Sequence, residues 1–512
     1  MNSTPTNRRD FLTTSASLTA LGAAARGGAQ PGRRQMNLVS VLTDDQASWA
    51  VGAYGNREVQ TPNIDRLARE GARFENSYVA TPVCSPSRAS YFTGLYPTRV
   101  GITDYIGLEG FAGLGLDPRT VTWPAVLQRH GYVTALMGKW HLGNLPEFHP
   151  SKFGLDHFVA DRGGTLADRV VEVDGQPKHA QGAVADVITD EALRFLEENR
   201  SRPFALLMHY PEPHFTIRRP SSYGPFADQD LAPFKGAEVT IPKWPGLDTG
   251  HVKQLTLEYY AASHALDRNI GRLLAQLDKL GLAENTIVHF VGDNGNMIGH
   301  HGLHGKGNAW AITGGIDDGP VRPNMFEESI AVPLLVRWPG VTKPGAVVSQ
   351  PVSMIDTFAS VLGMLGVGLP RGTKQDGMDY SRLLKGETSG WRDAMLGQYD
   401  LHNDGALAFM RMIRTPQWKL VRHHFANFAE LYDLENDPGE TRNLYYGLMS
   451  GYLDPAHEKV RDELELRLTE WQRSIDDPIL RAAFRVLEPV TRRKPIVMTP
   501  EVRRRYSENL RR

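Results

Sequence analysis

The sequence predicts an α/β fold: a large mixed, mostly parallel β-sheet between layers of helices, with a smaller C-terminal α+β domain. Three apolar runs rich in branched residues, at 36–43, 203–208 and 286–291, have the composition of buried strands. Helical patterns at 184–199 and 255–280 alternate with these runs, which is typical of α/β proteins. Polar residues follow each run, at the strand ends where open α/β sheets bind ligands.

The pattern changes after about residue 375, where short β runs follow one another at 407–413, 418–422 and 430–434. These runs predict a small antiparallel sheet. One packing helix is then predicted by a stripe of apolar residues at helical spacing: Val460, Leu464, Leu468, Trp471 and Ile475.

The length of 512 residues allows a large core and favours two folded domains. We predict an N-terminal segment at 1–35, a main domain at 36–372, a C-terminal subdomain at 373–490 and a basic tail at 491–512. The 57 basic residues nearly balance the 58 acidic ones, which argues against a nucleic-acid partner.

The N-terminal segment carries Arg8-Arg9 and then a mild apolar run at 18–25. It resembles a twin-arginine export signal, which the twin-arginine machinery would read and which predicts a periplasmic or extracellular protein. The alternative is a disordered start with a chance arginine pair. The apolar run is too short to span a membrane, so stable membrane insertion is not expected. The tail from 491 has eight Arg and Lys against two Glu, and we interpret it as a solvated tail.

Oxygen donors follow two of the predicted strands. Asp44-Asp45 comes after the first, and Asp293-Asn294 comes after the run at 286–291. Each pair alone could be a solvated turn. Together they form the hard oxygen set that calcium or magnesium prefers.

Cys84 is the only cysteine of the chain, so it forms no internal disulfide. A lone cysteine is usually a small buried apolar residue. Here Pro86 suits the first turn of a helix, so Cys84 is predicted at a helix N-terminus, where backbone N–H groups favour anions. Arg88 adds a cation one turn later. This setting favours a reactive centre.

Basic and imidazole side chains follow the other strands. Lys139 and His141 are two residues apart, which would place both on one face of an extended chain. His209 and His214 follow the run at 203–208, and Lys306 follows three further histidines. Those three resemble a zinc cluster, but the oxygen donors elsewhere argue against zinc, and we interpret them as pocket wall: His300, His301 and His304.

The segment Cys84-x-Pro86-x-Arg88, continued by Ala89-Ser90 and Thr93-Gly94, resembles the signature of the type I sulfatases. Gly138-Lys139-Trp140-His141-Leu142-Gly143 also matches that family, and so does the Pro213-His214 pair. Gly292 stands where many sulfatases have serine. The matching stretches follow in order from about residue 37 to 444.

The resemblance implies an alkaline phosphatase-like fold and a Cys84 that a formylglycine-generating enzyme oxidises to formylglycine. It also implies a calcium ion, with magnesium as the fallback, bound by four residues: Asp44, Asp45, Asp293 and Asn294.

The resemblance further implies a role for each remaining site residue. The formylglycine hydrate at position 84 attacks sulfur, Asp293 is the candidate acceptor of its proton, and Arg88 and Lys139 hold the hydrate. Lys306 and His214 bind the sulfate and its bridging oxygen, with His214 as general acid and His209 as its competitor. His141 then removes a proton so that sulfate is expelled.

Three functions remain open on the sequence. The first is an exported sulfatase for a sulfated small molecule or saccharide. The second is a phosphonate or phosphate ester hydrolase of the same superfamily. The third is a non-catalytic sulfoglycan-binding protein, which the nucleophile argues against because binding alone does not need one.

Overall fold

The computed structural model describes residues 35–107, 113–164, 166–214, 227–312, 321–403, 407–426, 428–446, 452–453 and 455–481. The Arg8-Arg9 signal, the basic tail at 491–512 and the last part of the predicted C-terminal subdomain lie outside these residues. The described residues from Met36 to Arg481 belong to one compact unit. The predicted boundary at residue 372 stays a prediction. No helix of the described residues is long and apolar enough to cross a bilayer.

The strands of the described residues are β1 Asn37–Thr43, β2 Ala72–Phe74, β3 Ser77–Tyr78, β4 Val133–Gly138, β5 His157–Gly164, β6 Arg169–Val173, β7 Gln176–Ala180, β8 Phe204–Tyr210, β9 Thr286–Gly292, β10 Leu303–His304, β11 Trp310–Ala311, β12 Leu334–Arg337, β13 Ala346–Val348, β14 Val352–Ser353, β15 Met395–Leu401, β16 Ala408–Arg414, β17 Trp418–His424, β18 Phe428–Asp433, β19 Tyr445–Tyr446 and β20 Tyr452–Leu453.

The α-helices are α1 Pro62–Glu70, α2 Cys84–Thr93, α3 Pro97–Val100, α4 Trp123–Arg129, α5 Val184–Asn199, α6 Asp228–Leu231, α7 Thr249–Lys279, α8 Glu327–Ile330, α9 Thr357–Leu365, α10 Ser381–Leu384 and α11 Pro455–Ser474.

Ten strands form the main sheet in the order β13-β2-β12-β9-β1-β8-β4-β5-β6-β7. The five central strands from β9 to β5 run parallel, while β12, β6 and β7 pair antiparallel to their neighbours. The predicted mixed, mostly parallel sheet is therefore confirmed. Thr43 at the end of β1 pairs with Tyr210 of β8 on one side and with Gly292 of β9 on the other. The polar segments that follow these three strands therefore begin side by side, at the carboxyl ends of the central strands.

The side chains of β1 alternate between two apolar layers, as the period of a strand requires. Leu38 and Leu42 pack into a cluster that includes residues of α2, α4 and α9. Val39 and Val41 pack into a second cluster with residues of α1, α5 and α7. Both faces of β1 are thus covered, which explains its continuous apolar run.

A separate antiparallel sheet has the order β15-β16-β17-β18, and α11 packs against it. The predicted small C-terminal sheet and its packing helix are confirmed, although the sequence did not reveal β15. The hairpins β5 to β7 were also not predicted. Two short strands, β2 and β3, precede Cys84 in the chain, and the short strand β14 precedes α9.

Candidate active site

The carboxylates that follow β1 and β9 lie close together at the carboxyl ends of these two strands. Asp45 has a left-handed backbone with φ of 59°, a conformation that aspartate tolerates better than most residues. Its backbone N–H donates to Asp293 Oδ1 at 3.0 Å. Asp44 is fully buried, and its backbone N–H donates to the Glu212 carbonyl at 3.3 Å. The two strand ends and the segment after β8 are therefore tied together.

Asn294 brings an amide to the same cluster. Its Nδ2 donates to Asp45 Oδ1 at 2.7 Å and to the Gly295 carbonyl at 2.9 Å. Its Oδ1 is buried and has no hydrogen-bond partner among the described residues. A buried carbonyl without a partner is costly, so this oxygen is suited to a ligand.

Cys84 is the first residue of α2, as the sequence predicted, and Val83 before it is extended. The buried thiol donates to Asp44 Oδ1 at 3.1 Å and accepts from Lys306 Nζ at 2.7 Å. Burial, together with the nearby Asp44 charge, raises the pKa of the thiol. The cysteine is therefore a protonated group inside a polar cluster, not a residue of the apolar core.

Arg88 lies one turn along α2 and is fully buried. Its Nε donates to Asp293 Oδ2 at 2.9 Å, and its Nη1 donates to the Lys139 carbonyl at 2.9 Å. Its Nη2 lies 3.6 Å from Asp44 Oδ2 and forms no hydrogen bond with the described residues. One N–H fork of the guanidinium is therefore available to a ligand.

Two lysine ammonium groups close the cluster: Lys139 pairs with Asp44, and Lys306 pairs with Asp45. Gly138 sets the entry of Lys139, because its φ is 116° and a Cβ there would lie 2.0 Å from the His209 carbonyl. Burial opposes ionisation of Asp44, but the cations, led by Lys139, hold its pKa well below the usual range.

Burial also affects the other members of the cluster. It opposes the charge of Lys306, yet Asp45 and the neighbouring acids raise the lysine's pKa well above its usual range. Burial and the adjacent Asp44 raise the pKa of Asp293. Metal-ligand atoms of four residues lie within 4.8 Å of one another: Asp44, Asp45, Cys84 and His214.

His141 does not lie on an extended chain with Lys139, because its φ is 61°. The prediction of a shared strand face is wrong, although the Lys139 charge still reaches the ring. Burial, then the charges of Lys139 and Arg88, lower the pKa of His141 well below its usual value, so the ring is neutral. Its Nε2 lies 3.0 Å from the Ile106 carbonyl, which only accepts. Nε2 therefore carries the proton, and buried Nδ1 is the bare acceptor.

Of the two histidines after β8, His214 is the one beside the carboxylates, with Nε2 3.7 Å from Asp45 Oδ2. Burial lowers its pKa to about 4, and Asp45 pulls in the opposite direction. His209 instead lies beneath the cluster. Its Nδ1 is 3.1 Å from the Lys139 carbonyl, and its ring packs on Tyr91 and Phe92.

The three histidines before Lys306 diverge. The His300 ring packs beside Trp49 at 5.3 Å, and the His301 ring stacks on Phe326 at 3.8 Å. His304 is buried, and burial lowers its pKa to about 3. Among the described residues these three form no metal-binding group. Arg218 and Arg219, two cations that follow His214 in the sequence, lie outside the described residues.

Two further contributors were not visible in the sequence. Tyr259, on the long helix α7, donates from its hydroxyl to the Asp45 carbonyl at 2.5 Å and accepts the Ala47 N–H at 3.0 Å. The Ile106 peptide bridges Ser85 and His141, since its N–H donates to Ser85 Oγ at 3.0 Å. Both contacts join distant parts of the chain, so no local pattern predicts them.

Two family models match the chain. The sulfatase model matches residues 36–367, and the model described as N-sulphoglucosamine sulphohydrolase, C-terminal, matches residues 322–474. The first match contains every residue of the cluster described above.

Curated relatives and solved structures are similar over most of their length. A steryl-sulfatase of Rattus norvegicus is 31% identical, with 77% of each chain covered. An N-acetylglucosamine-6-O-sulfatase of Bacteroides thetaiotaomicron is 28% identical, with 80% of this chain and 83% of the relative covered. A solved complex with its substrate D-glucosamine-2-N,6-O-disulfate is 25% identical, with a TM-score of 0.73, 87% of this chain and 99% of that chain covered.

Proposed function

This chain belongs to the sulfatase family, and from that premise we propose that it is an exported sulfatase that hydrolyses sulfate esters of saccharides. The family assignment makes it a sulfuric ester hydrolase. The observation that carries the proposal is the buried cluster in which Cys84 meets the carboxylates of two strand ends and three cations. The N-acetylglucosamine-6-O-sulfatase and the disulfated glucosamine complex support a saccharide substrate.

The residues present fit a calcium ion. The donor set is three carboxylates and one amide, all oxygen, which suits a hard cation; magnesium is the fallback. The partnerless Oδ1 of Asn294 supports this assignment. The candidate ligands are Asp44, Asp45, Asp293 and Asn294. When bound, the ion would neutralise a sulfate oxygen and help to ionise the nucleophile.

The charges of the cluster also suit a divalent cation followed by an anionic ester. Its three carboxylates are matched by three cations: Arg88, Lys139 and Lys306. A divalent ion would leave an excess of positive charge, which a sulfate ester lowers on binding. Lys139 and Lys306 pair with Asp44 and Asp45, and we propose that with an ion bound to these carboxylates both ammonium groups would turn to the sulfate oxygens.

Cys84 stands at the nucleophile position of the family, and we propose that a formylglycine-generating enzyme converts it. The formylglycine hydrate supplies a hydroxyl nucleophile at the N-terminus of α2. Arg88 and Lys139 would orient that group. His141 is suited to accept a proton at Nδ1, because its Nε2–H is engaged by Ile106.

His214 is our candidate for the bridging oxygen of the ester. Its ring is partly exposed and reaches Asp45, whereas His209 is fully buried beneath the cluster. The neutral ring of the free site gains affinity for a proton when the negative sulfate arrives beside it. The proton would then pass from His214 to the leaving alkoxide.

The segment with Arg8-Arg9 supports export through the twin-arginine route. We therefore propose a periplasmic or extracellular location. Fractionation of cells that carry wild type or Arg8→Lys/Arg9→Lys tests it, and unchanged export of the double variant contradicts the route.

A substrate panel tests the activity. Protein co-produced with a formylglycine-generating enzyme is assayed in calcium with N-acetylglucosamine 6-sulfate, N-acetylgalactosamine 6-sulfate, a steryl sulfate, nitrophenyl sulfate and a phenyl phosphonate ester. We expect the highest kcat/KM on a saccharide sulfate and none in Cys84→Ala. A higher value on the phosphonate ester would assign the chain to the phosphonate hydrolases, and a higher value on the steryl sulfate would refute the saccharide assignment.

A further inference from the structure

A cavity of about 880 Å³ opens beside the reaction centre. Lys139 and His141 lie in its wall at one end. The other end is formed by the loop after β4 and by the β5–β6 hairpin, which the sequence did not predict. The proposed reaction uses only the first end.

The far wall is a network of prearranged polar groups around Glu172. Its Oε1 lies 3.4 Å from His149 Nε2, and its Oε2 accepts from Arg162 Nε at 3.0 Å. The His149 ring meets Phe158 edge to face, with 5.4 Å between centroids. Glu172 is only 15% exposed, so its two partners hold it in place.

These features fit a sugar ring. Small-molecule sites typically measure about 300–1,000 Å³ and combine apolar walls with a few fixed polar groups. A carboxylate held between a guanidinium and an imidazole offers both acceptors and donors to hydroxyl groups. A sterol has few hydroxyl groups and would displace water from these polar groups without replacing its hydrogen bonds, which is costly.

The cavity is continuous with the reaction centre through Lys139 and His141. One substrate molecule can therefore place its sulfate at Cys84 and a second part of itself in this cavity. We propose that the cavity binds the sugar unit next to the one that carries the scissile sulfate, with Glu172, Arg162 and His149 contacting its hydroxyls. This inference rests on the proposed saccharide sulfatase activity and makes an oligosaccharide the preferred substrate.

The test compares chain lengths. The sulfated monosaccharide with the highest kcat/KM in the panel above is compared with a disaccharide that carries the same sulfated sugar at its end. We expect the wild type to favour the disaccharide by about tenfold, the effect of one or two well-placed hydrogen bonds. His149→Ala and Glu172→Gln should each remove most of that preference.

His157→Ala is the matched control. His157 pairs with Asp174 at 3.1 Å on the same hairpin but does not line the cavity. It should keep the full preference for the disaccharide. Melting curves establish that each variant is folded, and the near-isosteric Glu172→Gln carries the test if His149→Ala is not.

The outcomes separate the two proposals. Equal rates of wild type on both lengths overturn the subsite but leave the sulfatase activity intact. Full preference retained in Glu172→Gln and His149→Ala, or lost equally in His157→Ala, overturns its placement in this cavity. Failure of wild type on every sulfated saccharide overturns the proposed function itself.

Discussion

Two fully buried arginines bind carboxylates in different ways. Arg411, in the C-terminal sheet, donates from Nε and Nη2 to Asp477 at 2.6 and 2.8 Å and from Nη1 to Asp400 at 2.5 Å. Arg88, in the active site, donates from Nε to Asp293, but its Nη2 has no hydrogen-bond acceptor among the described residues.

The difference distinguishes a structural ion cluster from a functional one. All three nitrogens of the Arg411 guanidinium donate hydrogen bonds to Asp400 or Asp477, so none of them is available to a ligand. Around Arg88, neither the guanidinium Nη2 nor Asn294 Oδ1 forms a hydrogen bond with the described residues. Buried polar atoms are normally satisfied, so these two atoms are suited to bind a ligand.

The largest expected effect separates the two arginines. Arg88→Met should lower kcat/KM by about 10³-fold, because a buried cation that stabilises transition-state charge is lost. Arg411→Met should leave kcat/KM of the folded enzyme within about threefold, but lower the free energy of unfolding by about 3–5 kcal/mol, since two buried carboxylates lose their partner. Steady-state kinetics and urea unfolding on both variants give the answer. A large kinetic loss in Arg411→Met with none in Arg88→Met would reverse the comparison.

The His214 variant tests whether the active-site cluster around Arg88 and Cys84 includes a proton donor. His214→Ala should lower kcat/KM by about 10²–10⁴-fold on a saccharide sulfate, whose alkoxide needs a proton to leave. Nitrophenyl sulfate should be affected far less, because nitrophenolate is a weak base. Equal losses on the two esters would mean that the histidine only positions sulfate. A selective loss in His209→Ala would move the role to that residue.

Calcium bound to the active-site carboxylates should raise the free energy of unfolding, and Tyr259 should support its binding by holding Asp45 in place. At about 100 times its dissociation constant, the ion should add about 2.7 kcal/mol to the unfolding free energy. Tyr259→Phe removes the hydroxyl that fixes the Asp45 carbonyl and should weaken calcium binding by about 10–100-fold.

The neighbouring Tyr260→Phe is the control for Tyr259. The Tyr260 hydroxyl accepts from Asn56 Nδ2 at 2.9 Å and does not contact the active-site carboxylates Asp44, Asp45 and Asp293. Calcium titrations followed by Tm measure all three proteins. Equal calcium affinity in both tyrosine variants contradicts the role of Tyr259, and no shift in wild type contradicts the calcium site.

The smallest effect concerns a closed buried network. His289 lies between Ser40 Oγ at 2.9 Å and Tyr380 OH at 2.8 Å, and burial lowers its pKa to about 3. In the unfolded chain the His289 ring binds a proton below about pH 6.5, whereas in the folded protein it stays neutral down to about pH 3. The stability that the neutral, hydrogen-bonded ring contributes is therefore complete above about pH 6.5 and is lost as the pH falls towards 3.

His289→Gln should therefore destabilise the protein less at acid pH than at neutral pH. Linkage makes the difference about 2 kcal/mol between pH 7 and pH 5. Urea unfolding of both proteins at the two pH values measures it. A constant difference would mean that His289 takes up a proton in the folded protein at the same pH as in the unfolded chain.

The sequence predicts the strand ends well, because buried runs and the polar residues after them are local patterns. Asp44, Asp45, Asp293 and Asn294 follow directly from β1 and β9, and parallel pairing brings them together. The N-terminal position of Cys84 on α2 is equally local, since an extended residue, the cysteine and Pro86 are neighbours in the chain.

The rest depends on contacts that no local pattern contains. His141 was expected on an extended chain, but its left-handed backbone aims the ring at the Ile106 carbonyl. In the sequence, Tyr259 is one of many apolar residues at helical spacing in a long helix. Only the folded structure shows that its hydroxyl contacts the Asp45 carbonyl. Glu172 lies on the short strand β6, and the next strand, β7, is exposed and polar, so its composition does not differ from that of a loop.

Mass spectrometry of the peptide that contains Cys84, taken from the same preparation as the activity assay, decides whether a formylglycine at position 84 is the nucleophile. We expect position 84 to carry the formylglycine aldehyde or its hydrate, and saccharide sulfate turnover to rise in proportion to the converted fraction across preparations. An active preparation in which position 84 is entirely unmodified thiol would contradict it.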